Sequence, residues 1–222
     1  MKFDELNKLL TRYYDAMDIP KEDKRKRVVL GLDLYDAFIY ILLSIKADYK
    51  ISEYKEDKIS PEKMEGYISS LDYRIRDILE DNDLPYEDDY IPQLSRDIVE
   101  TTFRHLDDDY FFSDDRAVLI TQNEANTIMN GVDFTNAKKQ GKTHKQWIAE
   151  LDDKTREAHF LMDGTFIPID EKFHVGNDYM RYPHDYTASA ENVVNCRCSC
   201  IYSWAKETSV KGVFLLHKLA KL

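Results

Sequence analysis

Apolar side chains recur every three or four positions through the first half of the chain, which is the spacing of one helix face. Ser60 and Pro61 add a helix-start signal, because serine caps a first turn and proline suits the first helical position. Together these patterns predict an N-terminal helical bundle. The predicted helices cover residues 3–17, 21–49, 60–80 and 92–105.

The pattern changes after residue 112. A longer helix is predicted first, with Ser113 as its cap and Gly141 just past its end. Shorter elements follow, so the fold class is α+β: a helical bundle, then a small α+β module with a short antiparallel sheet. The predicted elements are a helix at 113–140, a strand at 144–151, helical turns at 155–162, a strand at 166–169, an irregular stretch at 171–192 and a strand at 195–204.

Charge divides the chain at the same place. The 222 residues carry a net charge of -11, and residues 1–112 hold 17 Lys+Arg against 27 Asp+Glu, while residues 113–222 hold 14 against 15. A strongly acidic half argues against a general DNA-binding surface there. We expect an acidic helical domain at 1–112, a second module at 113–204 and a C-terminal tail at 205–222.

The most apolar run extends from Val28 to Ile45 and contains Asp33 and Asp36, which favours a buried core helix over a membrane span. The residues after Met1 lack the pattern of a secretory signal. Three cysteines are too few for a disulfide framework. We therefore expect a folded protein of a reducing compartment.

All three cysteines lie within five residues, at Cys196, Cys198 and Cys200. If this segment is a strand, alternation places the three sulfurs on one face. That face is either a metal or redox site or a small apolar patch of the core.

Several short motifs follow one another in the second half of the chain. They are Asn123-Glu124, Lys145-Gln146-Trp147, Asp152 to His159, Met162-Asp163-Gly164, Pro168 to Phe173, Tyr182-Pro183 and Asn195 to Cys198. Read in order, these motifs resemble the phage minor head, or head-morphogenesis, proteins of the Mu protein F-like family, over about residues 115–204. The resemblance implies a minor virion component in the capsid interior, assembled in the host cytoplasm without a membrane, with portal or capsid protein and double-stranded DNA as partners.

One departure from the family pattern bears on a metal site. Many relatives carry a Cys-x-x-Cys pair where this chain has Arg156 and His159, and those relatives resemble zinc-binding knuckles. His159, Cys196 and Cys198 are therefore the candidate zinc ligands. The alternative is a small core in which the thiols pack as hydrophobic groups. The fourth ligand is open among His174, His184, Cys200 and Asp163.

Four further hypotheses concern function. His159, Asp163, Asp170 and Cys196 permit a cysteine hydrolase, so a metal- or cysteine-dependent nucleic-acid-processing enzyme is the alternative to a non-enzymatic head protein. A zinc-stapled interaction module outside any virion is a third reading. The apolar, basic segment Val210–Leu219 suggests terminal docking. The candidate DNA contacts lie around a helix end, at Lys138, Lys139, Lys142, His144 and Lys145.

Overall fold

A computed structural model describes residues 1–55 and 59–204, and the predicted docking segment at 210–219 lies outside the described residues. The α+β class is confirmed, because helices fill the first part and a small antiparallel sheet follows. The helices are α1 (Phe3–Asp15), α2 (Lys21–Lys55), α3 (Pro61–Asp81), α4 (Tyr90–Phe103), a 3-10 turn (Asp109–Phe112), α5 (Asp114–Lys139), α6 (Glu157–Met162) and α7 (Ala190–Val193). The strands are β1 (His144–Ile148), β2 (Phe166–Pro168), β3 (Phe173–Val175), β4 (Asp178–Met180) and β5 (Ser199–Ser203).

The helix boundaries follow the local chemistry that the sequence shows. Ser60 accepts a hydrogen bond from the Lys63 amide at 3.3 Å, so it caps α3 as predicted. The Ser113 hydroxyl accepts in the same way from the Arg116 amide at 3.2 Å. Gly141, just beyond α5, has a φ of +70°, a left-handed conformation that glycine adopts without strain.

The described residues pack into two compact units. The first combines Met1–Arg12 with Arg25–Ala125, and the second combines Tyr13–Lys24 with residues from 126 onward. The division between these units falls within α5. The domain ranges 1–112, 113–204 and 205–222 stay predictions about independent folding.

Helix α2 supplies much of the core of the first unit. By length and composition alone it could cross a membrane, but half of its most apolar window is buried inside the protein. A core helix passes the same test of length and composition, and burial of the apolar side chains favours that interpretation. The fully buried apolar residues of α2 are Leu34, Phe38, Ile41, Leu42 and Ile45.

The second unit is built on a three-stranded antiparallel sheet in the order β2-β1-β5, with a separate hairpin of β3 and β4. In the register, Trp147 lies opposite Cys200 and Ile148 lies opposite Ser199. Trp147 is fully buried and anchors a core cluster together with Phe173 and two cysteines. The buried members are Trp147, Ala149, Phe173, Val175, Met180, Cys196 and Cys198.

Three expectations about this unit were wrong in detail. The strand predicted at 144–151 ends at Ile148, because the Ala149 amide donates to the Asp163 carboxylate at 3.0 Å instead of to a strand. The stretch 171–192 is not irregular throughout: it holds the β3–β4 hairpin, in which Gly176 has a φ of +59°, and the short helix α7.

The third error concerns the cysteines. The closing strand begins at Ser199, so Cys196 and Cys198 precede it and only Cys200 belongs to it. Strand alternation therefore does not place the three sulfurs on one face.

Candidate metal centre

Two short segments of the second unit bring the candidate ligands together. Helix α6 carries His159, and the chain leaving α7 carries Cys196 and Cys198 into the same core. Asn195 has a φ of +58°, a left-handed conformation that asparagine tolerates better than most residues. This turn directs the following cysteine inward, and the Cys196 amide donates to the Val193 carbonyl at 3.1 Å.

The imidazole of His159 faces both thiols through a single nitrogen. Its Nδ1 lies 3.4 Å from the Cys196 sulfur and 3.5 Å from the Cys198 sulfur. All three ligand atoms lie within 4.8 Å of one another, and the residues are only 2 to 3% exposed. The structure thus brings together the three metal ligands that the sequence analysis selected.

A buried hydrogen-bond chain determines which ring nitrogen of His159 carries the proton. The Asn192 side-chain amide donates to the Val175 carbonyl at 3.0 Å and to the Asp178 carboxylate at 2.8 Å. Its Oδ1 atom therefore faces the His159 Nε2 atom, 3.2 Å away, as an acceptor. In the neutral imidazole this contact places the proton on Nε2, which leaves the Nδ1 lone pair directed at the two sulfurs.

The Cys196 backbone is held in place by three side chains from other elements. The Tyr13 hydroxyl and the Asn126 amide each donate to the Cys196 carbonyl at 3.2 Å, and the His184 Nε2 atom bonds the same oxygen. Asn130 donates to the Cys198 carbonyl at 3.4 Å. These contacts hold the backbone of the cysteine loop in place.

The pKa values of the two buried thiols shift in opposite directions. Burial opposes ionisation of Cys196, but the hydrogen bond from Cys198 and the adjacent histidines bring its pKa well below the ordinary value. The same hydrogen bond to Cys196, together with burial, raises the pKa of Cys198 well above it. A metal ion that takes both sulfurs needs both as thiolates, so its binding would displace the proton that Cys198 holds.

The donor set fits zinc. Two thiolates and an imidazole are ligands that zinc prefers, with bonds of about 2.3 Å to sulfur and about 2.0 Å to nitrogen. In a tetrahedral site these lengths separate nitrogen from sulfur by about 3.6 Å. The observed separations of 3.4 and 3.5 Å are within about 0.2 Å of that value.

The four candidates for a further ligand lie outside this group. The His174 ring stacks on Tyr179 at 4.7 Å, and the Asp163 carboxylate accepts from the Ala149 amide. His184 bonds the Cys196 carbonyl. Burial, offset in part by Lys145, raises the Cys200 pKa to about 12. Within residues 1–55 and 59–204, the group of three is the one set of such side chains close enough for a metal.

The predicted hydrolase set is not assembled as expected. Asp163 bonds a backbone amide, and Asp170 pairs with Lys138 at 2.7 Å. The partner of the histidine is Asn192, so the chain of contacts is Cys196–His159–Asn192, which is also the order of nucleophile, base and orienting residue in papain-like proteases. A nucleophile needs only one thiol at the imidazole, whereas both sulfurs approach it here.

The predicted basic cluster is only partly at the surface. Lys138 and Lys139 are exposed, and the Lys142 ammonium lies 3.0 Å from the centroid of the Trp204 ring. The prediction for Lys145 was wrong: it is fully buried, its ammonium donates to the Arg181 carbonyl at 2.6 Å, and it cannot reach a phosphate.

Sequence reasoning missed the residues that orient the site. No sequence pattern indicated a role for Asn192, because its partners lie on β3 and β4, which the sequence did not predict. A weak pattern did indicate Asn126 and Asn130. They are spaced i and i+4, so they share one face of α5, and asparagine is a poor helix former.

Comparison with known proteins identifies a family and a partial relative. The family described as phage Mu protein F like protein matches residues 89–201, a range that includes all three candidate ligands. The NAD(+)–arginine ADP-ribosyltransferase EFV of Enterococcus faecalis (strain ATCC 700802 / V583) is 26% identical over 129 residues, which is 52% of this chain. The chain spans about a quarter of that protein's length, since the match covers 26% of it. No solved structure matches.

Proposed function

Because the chain belongs to the phage Mu protein F like family and is a phage head-related protein, we propose that it is a minor, non-enzymatic head component. In this proposal it binds the portal or capsid protein during head morphogenesis and ends in the capsid interior. The family match over residues 89–201 is the observation that carries the proposal.

The experiment is mass spectrometry of gradient-purified procapsids and virions from the phage that encodes the chain. We expect the protein in both particles at a low copy number relative to the capsid protein, and in complexes recovered through a tagged portal protein. Absence from both particles, with the portal protein present, would contradict the proposal.

The second part of the proposal is that zinc binds at His159, Cys196 and Cys198. The supporting observation is that one imidazole lone pair faces two thiols at 3.4 and 3.5 Å. Zinc would join α6 to the segment before β5, so its binding free energy would stabilise the module. We expect a strong chelator to lower the midpoint of thermal unfolding and added zinc to restore it. An unchanged midpoint in both conditions would refute zinc binding.

Double-stranded DNA is the proposed further partner, through Lys138, Lys139 and Lys142. The support is limited to their position at the end of α5 and the exposure of two of them. Replacing all three with alanine should weaken binding in a low-salt gel shift and reduce its salt dependence. Lys172→Ala, an exposed lysine on another segment, is the control. Equal DNA binding by the triple variant and the Lys172→Ala control would refute the proposal that these lysines contact DNA.

A cysteine-dependent enzyme is the second candidate, favoured by the order of Cys196, His159 and Asn192. Two observations favour binding over catalysis. Cys196 is only 2% exposed, and its amide donates to the Val193 carbonyl rather than toward a substrate oxyanion. Incubation with labelled DNA, RNA and peptides, and with NAD+, tests this candidate. Turnover by the wild type that Cys196→Ser abolishes would establish an enzyme.

A further inference from the structure

The coordination number of the proposed zinc site has a consequence for its chemistry. Structural zinc sites take four protein ligands, whereas sites with three protein ligands keep a fourth position for solvent or another small ligand. In the part of the chain that the structure describes, three side chains gather at the site. What surrounds the fourth coordination position therefore decides whether the site is closed or open to a small ligand.

A cleft reaches the three ligands from the surface. It is lined by all three and by six neighbouring residues, and it leaves room for about one water-sized molecule beside them. Because the ligand residues are 2 to 3% exposed, the passage is narrow and excludes large groups. The other residues of the cleft are Glu150, Lys154, Thr155, Arg156, Asn195 and Arg197.

The charge of the cleft favours an anion. Lys154, Arg156 and Arg197 contribute three cationic groups to the cleft, and Glu150 contributes a carboxylate. The Arg197 guanidinium bonds both oxygens of the neighbouring Asp152 at 2.7 Å, so its charge is paired, and one positive charge remains in excess. Arg156 is held in position because it donates to the Val194 carbonyl. An excess of positive charge around a small opening stabilises a small negative ligand.

We propose that the metal held by His159, Cys196 and Cys198 keeps its fourth position open to this cleft, where it binds a water molecule or a small inorganic anion. The proposal rests on the zinc site proposed above. It makes the centre an exchangeable ligand site rather than a closed structural staple. The narrow passage restricts the ligand to a few atoms, and the cationic rim selects for negative charge.

Cobalt(II) substitution tests this directly, because its visible absorption bands report the ligand set. The folded full chain is loaded with cobalt and titrated with azide as the probe anion. We expect saturable changes in the d–d bands while the sulfur-to-cobalt charge-transfer band persists. Lys154→Met should weaken azide binding about two- to fivefold, as expected for loss of one exposed charge. Lys172→Met, outside the cleft, is the matched control.

The outcomes separate the two proposals. Cobalt that binds with a thiolate charge-transfer band but does not respond to azide would overturn the open position and leave the metal site standing. Failure of cobalt or zinc to bind at all would overturn both. An azide response in which Lys154→Met and Lys172→Met match the wild type would overturn the role of the cationic rim.

Discussion

Asn192→Ala is the substitution that tests the hydrogen-bond chain behind the proposed zinc site. Asn192 is 5% exposed and makes three contacts, to the Val175 carbonyl, the Asp178 carboxylate and the His159 Nε2 atom. Alanine removes all three. Asp178 keeps its bonds from the Ser189 amide and hydroxyl, but the Val175 carbonyl and the His159 N–H lose a buried partner.

The expected cost follows from these two groups. Each buried polar group left without a partner costs about 1–3 kcal/mol. A gain of a few tenths of a kcal/mol from the better helix propensity of alanine in α7 offsets little of this. We therefore expect the free energy of unfolding of the metal-free protein to fall by about 2–6 kcal/mol. Zinc affinity should fall by about 10–100-fold, because the imidazole loses the group that orients it.

Urea denaturation in chelator measures the first effect, and competition with a chromogenic chelator measures the second. The ring nitrogen shifts of His159 in a ¹⁵N-labelled sample report the tautomer and should show the proton on Nε2. Asn136→Ala, at an exposed position of α5, is the control and should change stability by less than about 0.5 kcal/mol. An Asn192→Ala variant that matches this control in both assays would refute the reasoning.

Two further predictions concern pH. Burial lowers the pKa of Lys145 from 10.5 to about 8, so between these values the unfolded chain binds a proton that the folded chain has lost. Stability should rise with pH over that interval in the wild type, and Lys145→Met should lose this rise in denaturation curves measured from pH 7 to 11. The hydrogen bond from Arg197 lowers the pKa of Asp152 from 3.8 to about 2, so its contribution is present above about pH 4 and is lost toward pH 2. Asp152→Asn should cost about 0.5–1 kcal/mol at pH 7 and remove that acid dependence, and equal acid sensitivity of both proteins would contradict it.

The sequence predicted the helices better than the strands, for a physical reason. Helix α3 has local signals at its start, since Ser60 and Pro61 act within one turn of the chain. The end of β1 depends on the Asp163 carboxylate, 14 residues away from Ala149 in sequence, and no local pattern reports that contact. Long-range partners decide strand limits, so short strands are the elements that local patterns predict least well.

In the candidate site too, the sequence indicates some residues, while others depend on long-range contacts. His159, Cys196 and Cys198 could be selected from residue type and family resemblance, and the structure brings them together. Asn192, which orients His159, could not be selected from the sequence, because its partners lie on a hairpin that the sequence did not predict. The prediction of Lys145 as a DNA contact was wrong because a lysine beside a basic segment suggests an exposed charge. Strand pairing instead buries it, with its ammonium over the rings of Phe134 and Phe173.

The most direct test of the metal centre is native mass spectrometry of the full chain purified in buffer with zinc. We expect one zinc ion on each wild-type chain and none on His159→Ala or Cys198→Ser at the same free zinc concentration. Far-ultraviolet circular dichroism shows whether the variants keep their helices, so that loss of zinc can be assigned to the ligand. A wild-type chain without zinc, or a folded His159→Ala chain that holds it as tightly, would contradict the account.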